Sequence, residues 1–239
     1  MTLNTAATDK ALVAIVPAAG VGKRMLSACP KQYLQLDGLT ILEHTVNRLL
    51  SVADIKHVVI AISPQDGYFH ETGLAGHPDV TTVFGGKERV DSVLAGLKAI
   101  DSSCYPWVLV HDAARPCVPG QDIDALIKRC RESGEGGLLA YPVRDTMKRS
   151  DASDQVLETV EREALWHALT PQMYPAAKLK AAIEKALEDN IQITDESSAM
   201  EYVNHTSVLV AGSSENLKIT RPDDLAMAEF ILLRQQAND

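Results

Sequence analysis

Leu12-Val-Ala-Ile-Val-Pro-Ala-Ala-Gly-Val-Gly-Lys-Arg-Met25 is the stretch on which the reading of the fold turns. Its first part, Leu12–Val16, is continuously apolar, as a strand covered on both faces must be. Small residues follow at once. A strand that runs into Ala18, Ala19, Gly20 and Gly22 lets backbone approach a bound group and offers it free N–H groups. Two phosphate-binding patterns fail here. A Walker loop needs Ser or Thr after its lysine, but Lys23 is followed by Arg24, and Pro17 stands where its first glycine belongs. The dinucleotide fingerprint needs a third glycine where Met25 stands. What remains is a phosphate signal of neither type, with a plain strand-to-helix turn as the alternative.

Working outward, Val58–Ile62, Val80–Phe84, Trp107–Val110 and Leu138–Val143 also read as strands. Between them, Thr40–Ala53 and Arg89–Ile100 place apolar residues on one helical face, and Gln121–Arg131, Ala176–Asp189 and Asp223–Arg234 are further helices. Thr220 with Asp223 has the form of a capping box, and Pro222 suits a first turn. Apolar strands separated by helices predict a three-layer α/β domain with a mainly parallel sheet. The 239 residues suit one domain, 1–239. Arg144–Glu163 breaks the rhythm: it is charged, lacks apolar periodicity and is long for a connection. It reads either as a solvated loop or as an arm, inserted at about 142–165, that packs on a second subunit.

Composition narrows the function. Apolar residues make up 46% and charged residues 23%, the balance of a globular chain. No run approaches the ~20 apolar residues a membrane span needs, and the N-terminus lacks a secretory pattern, so a cytoplasmic protein is expected. Lys and Arg number 23 against 32 Asp and Glu, a net charge of -9 that argues against nucleic acid. Any bound anion must be held by a local cluster of cations. Cys29, Cys104, Cys117 and Cys130 form no CxxC pair and no zinc spacing, and read as buried or incidental thiols.

Arg24 and Lys31 bracket a segment that starts at a strand's C-terminal end, where open α/β sheets bind ligands. A second cluster, His111-Asp-Ala-Ala-Arg-Pro116, follows the Trp107–Val110 run. Its acid, Asp112, is placed to hold a hard cation such as Mg²⁺, which takes one or two carboxylates and fills its shell with water and phosphate oxygens. A hydrolase relay through His111 and Asp112 is rejected, because no serine elbow exists and strand neighbours point apart.

Taken in order, these pieces resemble the 2-C-methyl-D-erythritol 4-phosphate cytidylyltransferase family of the non-mevalonate isoprenoid pathway. The blocks are Pro17–Met25, Pro30-Lys-Gln-Tyr33, Gly85-Gly-Lys-Glu-Arg-Val-Asp-Ser-Val93, Val110–Pro116, Pro142-Val-Arg-Asp-Thr-Met-Lys148, Leu165-Trp-His-Ala-Leu-Thr-Pro-Gln172, Ile193-Thr-Asp-Glu196 and Asn216-Leu-Lys-Ile-Thr220. The resemblance implies a Rossmann-like nucleotidyltransferase domain with a dimerisation arm. It also implies transfer of CMP from CTP to methylerythritol phosphate, with Mg²⁺, in a homodimer whose arm reaches the partner's site.

By motif position, the resemblance makes Arg24 and Lys31 the stabilisers of the CTP phosphates and Lys218 the lysine that positions the attacking phosphate. Arg162 is the arm arginine contributed across the dimer. Thr146, Thr194 and Arg115 contact the polyol phosphate, and Asp112 is the magnesium-side carboxylate. Ala18, Ala19, Gly20, Gly86 and Ser92 surround the cytidine. Lys87 stands where the family pattern leads us to expect an acid, and Glu215 is weighed as a second acid near the metal. A transferase for another polyol phosphate, such as ribitol phosphate, is the enzymatic alternative, and a nucleotide-sensing protein without chemistry is the other. With the last helix ending near Gln236, a monofunctional chain is expected.

Overall fold

The computed structural model describes residues 11–20 and 29–237. Strand β1 (Leu12–Pro17) is followed by the hairpin β2 (Gln35–Leu36) and β3 (Leu39–Thr40), helix α1 (Ile41–Leu50), β4 (Ile55–Ile62), β5 (Val80–Phe84) and α2 (Arg89–Ala99). Then come β6 (Trp107–Val110), α3 (Gly120–Ser133), β7 (Gly136–Pro142), the pair β8 (Met147–Ser150) and β9 (Val156–Val160), and β10 (Trp166–Pro175). Helices α4 (Ala176–Glu188) and α5 (Glu196–Tyr202), strand β11 (Ser207–Ala211) and helix α6 (Pro222–Gln236) complete the order. None of the described helices is long and apolar enough to cross a membrane.

The main sheet has seven strands in the order β11-β7-β10-β6-β1-β4-β5. β1 pairs in parallel with β4 and β6, and β4 with β5. β10 runs antiparallel to both β6 and β7, while β11 is parallel to β7. The alternation of side chains along a strand divides the core. Leu12, Ala14 and Val16 pack with Leu42, Val46 and Leu49 of α1 and Ile123 and Leu126 of α3. Val13 and Ile15 pack on the other face with Val93 and Leu97 of α2 and Leu179 and Ile183 of α4. Both faces of β1 are thus sealed, which is why it reads as an unbroken apolar run. The expected three layers are present.

The structure adds elements that periodicity missed. β10 carries Pro171 and Pro175, residues that argue against a central strand, and its register shifts between Ala168 and Gln172 around a cis Thr170–Pro171 bond. The α6 cap also lies one residue later than expected. Arg221 is the N-cap, so Asp224 and not Asp223 occupies N3, and its carboxylate accepts from the Thr220 and Arg221 N–H groups at 2.7 and 2.8 Å.

Arg144–Glu163 is not an unstructured loop. It contains an antiparallel hairpin of β8 and β9, a sheet of its own, with Val156 and Leu157 both more than 60% exposed. Cys117 and Cys130 are buried, where burial pushes each thiol up to about 12, as befits small hydrophobes and not nucleophiles.

Candidate active site

At the C-terminal edge of β1 and β6 lies a cleft of ≈ 650 Å³. β1 delivers Ala18, Ala19 and Gly20 to one wall. A short 3₁₀ turn, Lys31–Tyr33, brings Lys31 and Gln32, and the entry to α2 brings Gly86, Lys87 and Ser92. Gly85 must be glycine for packing reasons: an added Cβ would sit 2.6 Å from Ser92 Oγ and 2.7 Å from Ala19 Cβ. A second cleft of ≈ 490 Å³ adjoins the first, lined by Arg115, Thr170, Thr194 and Asp195. Arg89, Asp112 and Lys218 line both. The two compartments share one charged wall.

That wall is organised by Asp112. Its Oδ1 accepts from Arg89 Nε at 3.0 Å, and its Oδ2 from Lys218 Nζ at 2.8 Å and Arg115 Nε at 3.4 Å. Burial opposes the charge on Asp112, but the Arg89, Lys218 and Arg115 cations outweigh it and hold the carboxyl well below the usual range. The remaining fork of Arg89 closes on Glu196, with Nη1 and Nη2 donating at 2.6 and 3.1 Å. Burial disfavours that guanidinium's charge, yet the two flanking carboxylates hold it protonated. Arg115 Nη1 donates to the Asn216 carbonyl at 2.6 Å.

His111 is fully buried and faces away from this chemistry. Its Nε2 lies 3.0 Å from the Arg115 carbonyl, which can only accept, so the proton belongs there and Nδ1 accepts from Thr170 Oγ1 at 2.9 Å. Burial pushes its pKa down to about 4, leaving it neutral. Neither ring nitrogen touches the Asp112 carboxylate, so no hydrolase relay exists here.

The structure gathers most residues expected at the site. Ala18, Ala19, Gly20, Lys31, Gly86 and Ser92 line the first compartment, Arg115 and Thr194 the second, and Asp112 and Lys218 both. Lys31 Nζ donates to the Ile219 carbonyl at 2.9 Å. Arg24 lies outside the described residues. Thr146 and Arg162 line neither compartment: both are exposed, and Arg162 Nη1 donates to the Arg144 carbonyl at the base of the arm. Glu215, weighed as a second acid near the metal, lies elsewhere. It pairs with Arg234 and accepts from Gln235 Nε2 at 3.1 Å in a different cavity, so it cannot serve a metal beside Asp112.

The lining carries Lys31, Lys87, Arg89, Arg115 and Lys218 against Glu88, Asp112 and Asp195, a cationic enclave in an acidic chain. Arg89, Gln32, Thr170, Glu196 and Asn216 lie within the quoted sequence blocks, but their place at the site comes from contacts that the sequence does not show. Gln172 is another: its Oε1 accepts from Ser197 N at 2.8 Å and its Nε2 donates to Asp195 Oδ2 at 2.9 Å, tying α5 to the sheet.

A family model described as 2-C-methyl-D-erythritol 4-phosphate cytidylyltransferase matches residues 12–234. The protein of that name from Colwellia psychrerythraea is 59% identical over 95% of this chain and 96% of its own length. The one from Vibrio vulnificus is 56% identical over 94% and 96%. A crystal structure of the Francisella tularensis protein of the same name superposes with a TM-score of 0.80 at 32% identity, covering 92% of this chain and 99% of that one.

Proposed function

The chain belongs to the 2-C-methyl-D-erythritol 4-phosphate cytidylyltransferase family, and from that premise we propose how its residues divide the reaction. It is a nucleotidyltransferase that transfers CMP from CTP to 2-C-methyl-D-erythritol 4-phosphate, a step of the non-mevalonate route to isoprenoid precursors. The alternative substrate, another polyol phosphate, is not favoured.

CTP occupies the first compartment and the polyol phosphate the second, with the α-phosphorus at their shared wall. The observation that carries this is the presence of Arg89, Asp112 and Lys218 in both linings. A phosphate oxygen of the polyol attacks the α-phosphorus in line; the bond to the bridging oxygen breaks, and pyrophosphate leaves with the electron pair. A phosphate monoester, with its second pKa near ~6, is mostly dianionic at neutral pH and needs no general base. A neutral, inward-facing His111 is compatible with that. The work left to the protein is to bring two anions together and stabilise added negative charge. Lys31 and Arg24 act on the triphosphate and Lys218 on the attacking phosphate, while Arg115 and Thr194 hold the polyol phosphate. Ala18, Ala19, Gly20, Gly86 and Ser92 enclose the nucleoside.

Mg²⁺ fits this site in a limited way. Among the described residues no three His, Cys, Asp or Glu side chains cluster to cage an ion. Asp112 could ligate one, in place of the half-exposed Lys218 ammonium, with phosphate oxygens and water completing the shell. Bound there, the ion would neutralise phosphate charge. Lys218, freed from Asp112, would then face the attacking phosphate.

The protein acts in the cytoplasm as a homodimer in which the arm exchanges, so that Arg162 and Thr146 complete the other protomer's second compartment. Exposed Val156 and Leu157, and the absence of both polar residues from the lining of their own clefts, support this. Pyrophosphate release with CTP and each polyol phosphate tests the reading. Turnover is expected with methylerythritol phosphate, and faster turnover with ribitol phosphate would replace it.

A further inference from the structure

Beside the charged wall, one uncharged side chain holds the nucleotide compartment together from behind. Gln32 is 3% exposed. Its Nε2 donates to the Ala18 carbonyl at 2.6 Å and to the Gly20 carbonyl at 3.1 Å. Both N–H bonds of one amide are therefore spent on two carbonyls of the turn that leaves β1. From the other side, Ala19 Cβ abuts Gly85, and Ala18 N donates to the Ala61 carbonyl at 2.8 Å.

The turn that carries Gln32 is itself anchored. Tyr33 N donates to the Pro30 carbonyl and Leu34 N to that of Lys31, at 2.9 and 3.1 Å. The Tyr33 hydroxyl donates to Asp66 Oδ2 at 2.7 Å, and its ring stacks on Tyr68. Gln32 thus projects from a fixed base onto this segment, and among the described residues nothing lies within 4 Å of where a Gly20 Cβ would stand.

We infer that Gln32 is a positioning residue for the nucleoside triphosphate: its amide holds the Ala18 and Gly20 carbonyls away from the anion. The physical reason is the planarity of the peptide. In a trans peptide the C=O of one residue and the N–H of the next point opposite ways, so fixing the Ala18 oxygen fixes the Ala19 N–H. A carbonyl oxygen turned toward a triphosphate repels it, whereas an N–H attracts it. Lys31 and Gln32, adjacent in one turn, then act on the same ligand in different ways, the lysine by charge and the glutamine by setting the backbone. Because Gly20 is exposed, water can satisfy its carbonyl when the amide is lost, whereas the buried Ala18 carbonyl loses its partner, so order at the turn falls.

This inference rests on CTP occupying the first compartment, and its test separates the two. CTP binding by calorimetry and the KM for each substrate are measured for wild type and for Gln32→Met, which keeps the shape and removes both donors. The expected result is a CTP KM and Kd raised about tenfold or more, as befits the loss of a hydrogen-bonding donor pair, with the polyol phosphate KM unchanged. Gln32→Glu, which sets a carboxylate against the same two carbonyls, is expected to bind CTP more weakly still, and it carries the test if the Met variant does not fold. Unchanged CTP binding in either folded variant, or a parallel rise in both KM values, overturns the inference alone. Absence of CTP binding by the wild type would instead overturn the reading of the compartment.

Discussion

The wall around Asp112 and the hairpin that carries the arm are built on opposite terms. At the wall, each oxygen of Asp112 and Glu196 has a cationic partner, Arg89 bridges the two acids, and the Asn216 carbonyl accepts from Arg115 Nη1. In the arm, Arg149 pairs with Glu158 at 2.7 Å with both side chains about 60% exposed, and apolar Val156 and Leu157 face outward. A two-stranded hairpin alone is marginal in water. One region is complete within its own chain; the other lacks a hydrophobic neighbour. The difference locates what the fold supplies by itself and what a second protomer is proposed to add.

The largest effect should come from the wall. Asp112→Ala leaves Arg89 and Arg115 short of a buried counter-charge, and breaking such a pair costs roughly 3–5 kcal/mol. Arg149→Ala, with the same kind of ion pair in solvent, should cost about 1 kcal/mol or less. Urea unfolding of the two variants measures the contrast directly. Equal losses would erase the distinction between the regions.

Next is the step that joins them. Lys31→Ala should lower kcat by about 10²–10³, the usual loss for one donor to developing charge, with a normal unfolding midpoint. Arg162→Ala should also be impaired, although its own side chain lines neither cleft. Mixing the two variants should restore part of the activity, because arm exchange places an intact Arg162 beside an intact Lys31 in one site of the heterodimer. Heterodimers that form but stay inactive would confine each arm to its own protomer.

How much of this was legible in the sequence follows from the same physics. β1 and β6 announce themselves because burial on both faces demands unbroken apolar runs, and Asp112 stands where β6 ends. β10 was hidden by Pro171 and Pro175, and α5, at seven residues, is too short to show a helical period. The Arg89–Glu196 pair spans 107 positions, and nothing local in the chain records such a contact. Glu215 illustrates the same limit: its sequence distance from Lys218 is short, but its side chain turns to α6. The arm was visible only as a break in pattern. With nearly every side chain of β8 and β9 exposed, no alternation between buried and solvent faces could mark it as a hairpin.

A further effect, confined to pH, sharpens the comparison without touching the chemistry. His111 titrates near 6.5 when unfolded but is pushed down to about 4 by burial in the native wall. Above pH 6.5 both states are neutral and the histidine adds no pH dependence. Between about 6.5 and 4 the unfolded state binds the proton first, so stability falls as pH falls, by on the order of 2–3 kcal/mol in all. Asp112, whose folded pKa is depressed, gives up its contribution only below the ordinary carboxylate range, so the two windows separate. His111→Gln, which can keep a donor to the Arg115 carbonyl and an acceptor for Thr170, should flatten the slope between pH 6.5 and 4 while kcat at pH 8 stays near that of wild type. Parallel stability curves for the two proteins would mean that the ring is not held neutral by its burial, and a large kcat loss at pH 8 would return His111 to the reaction.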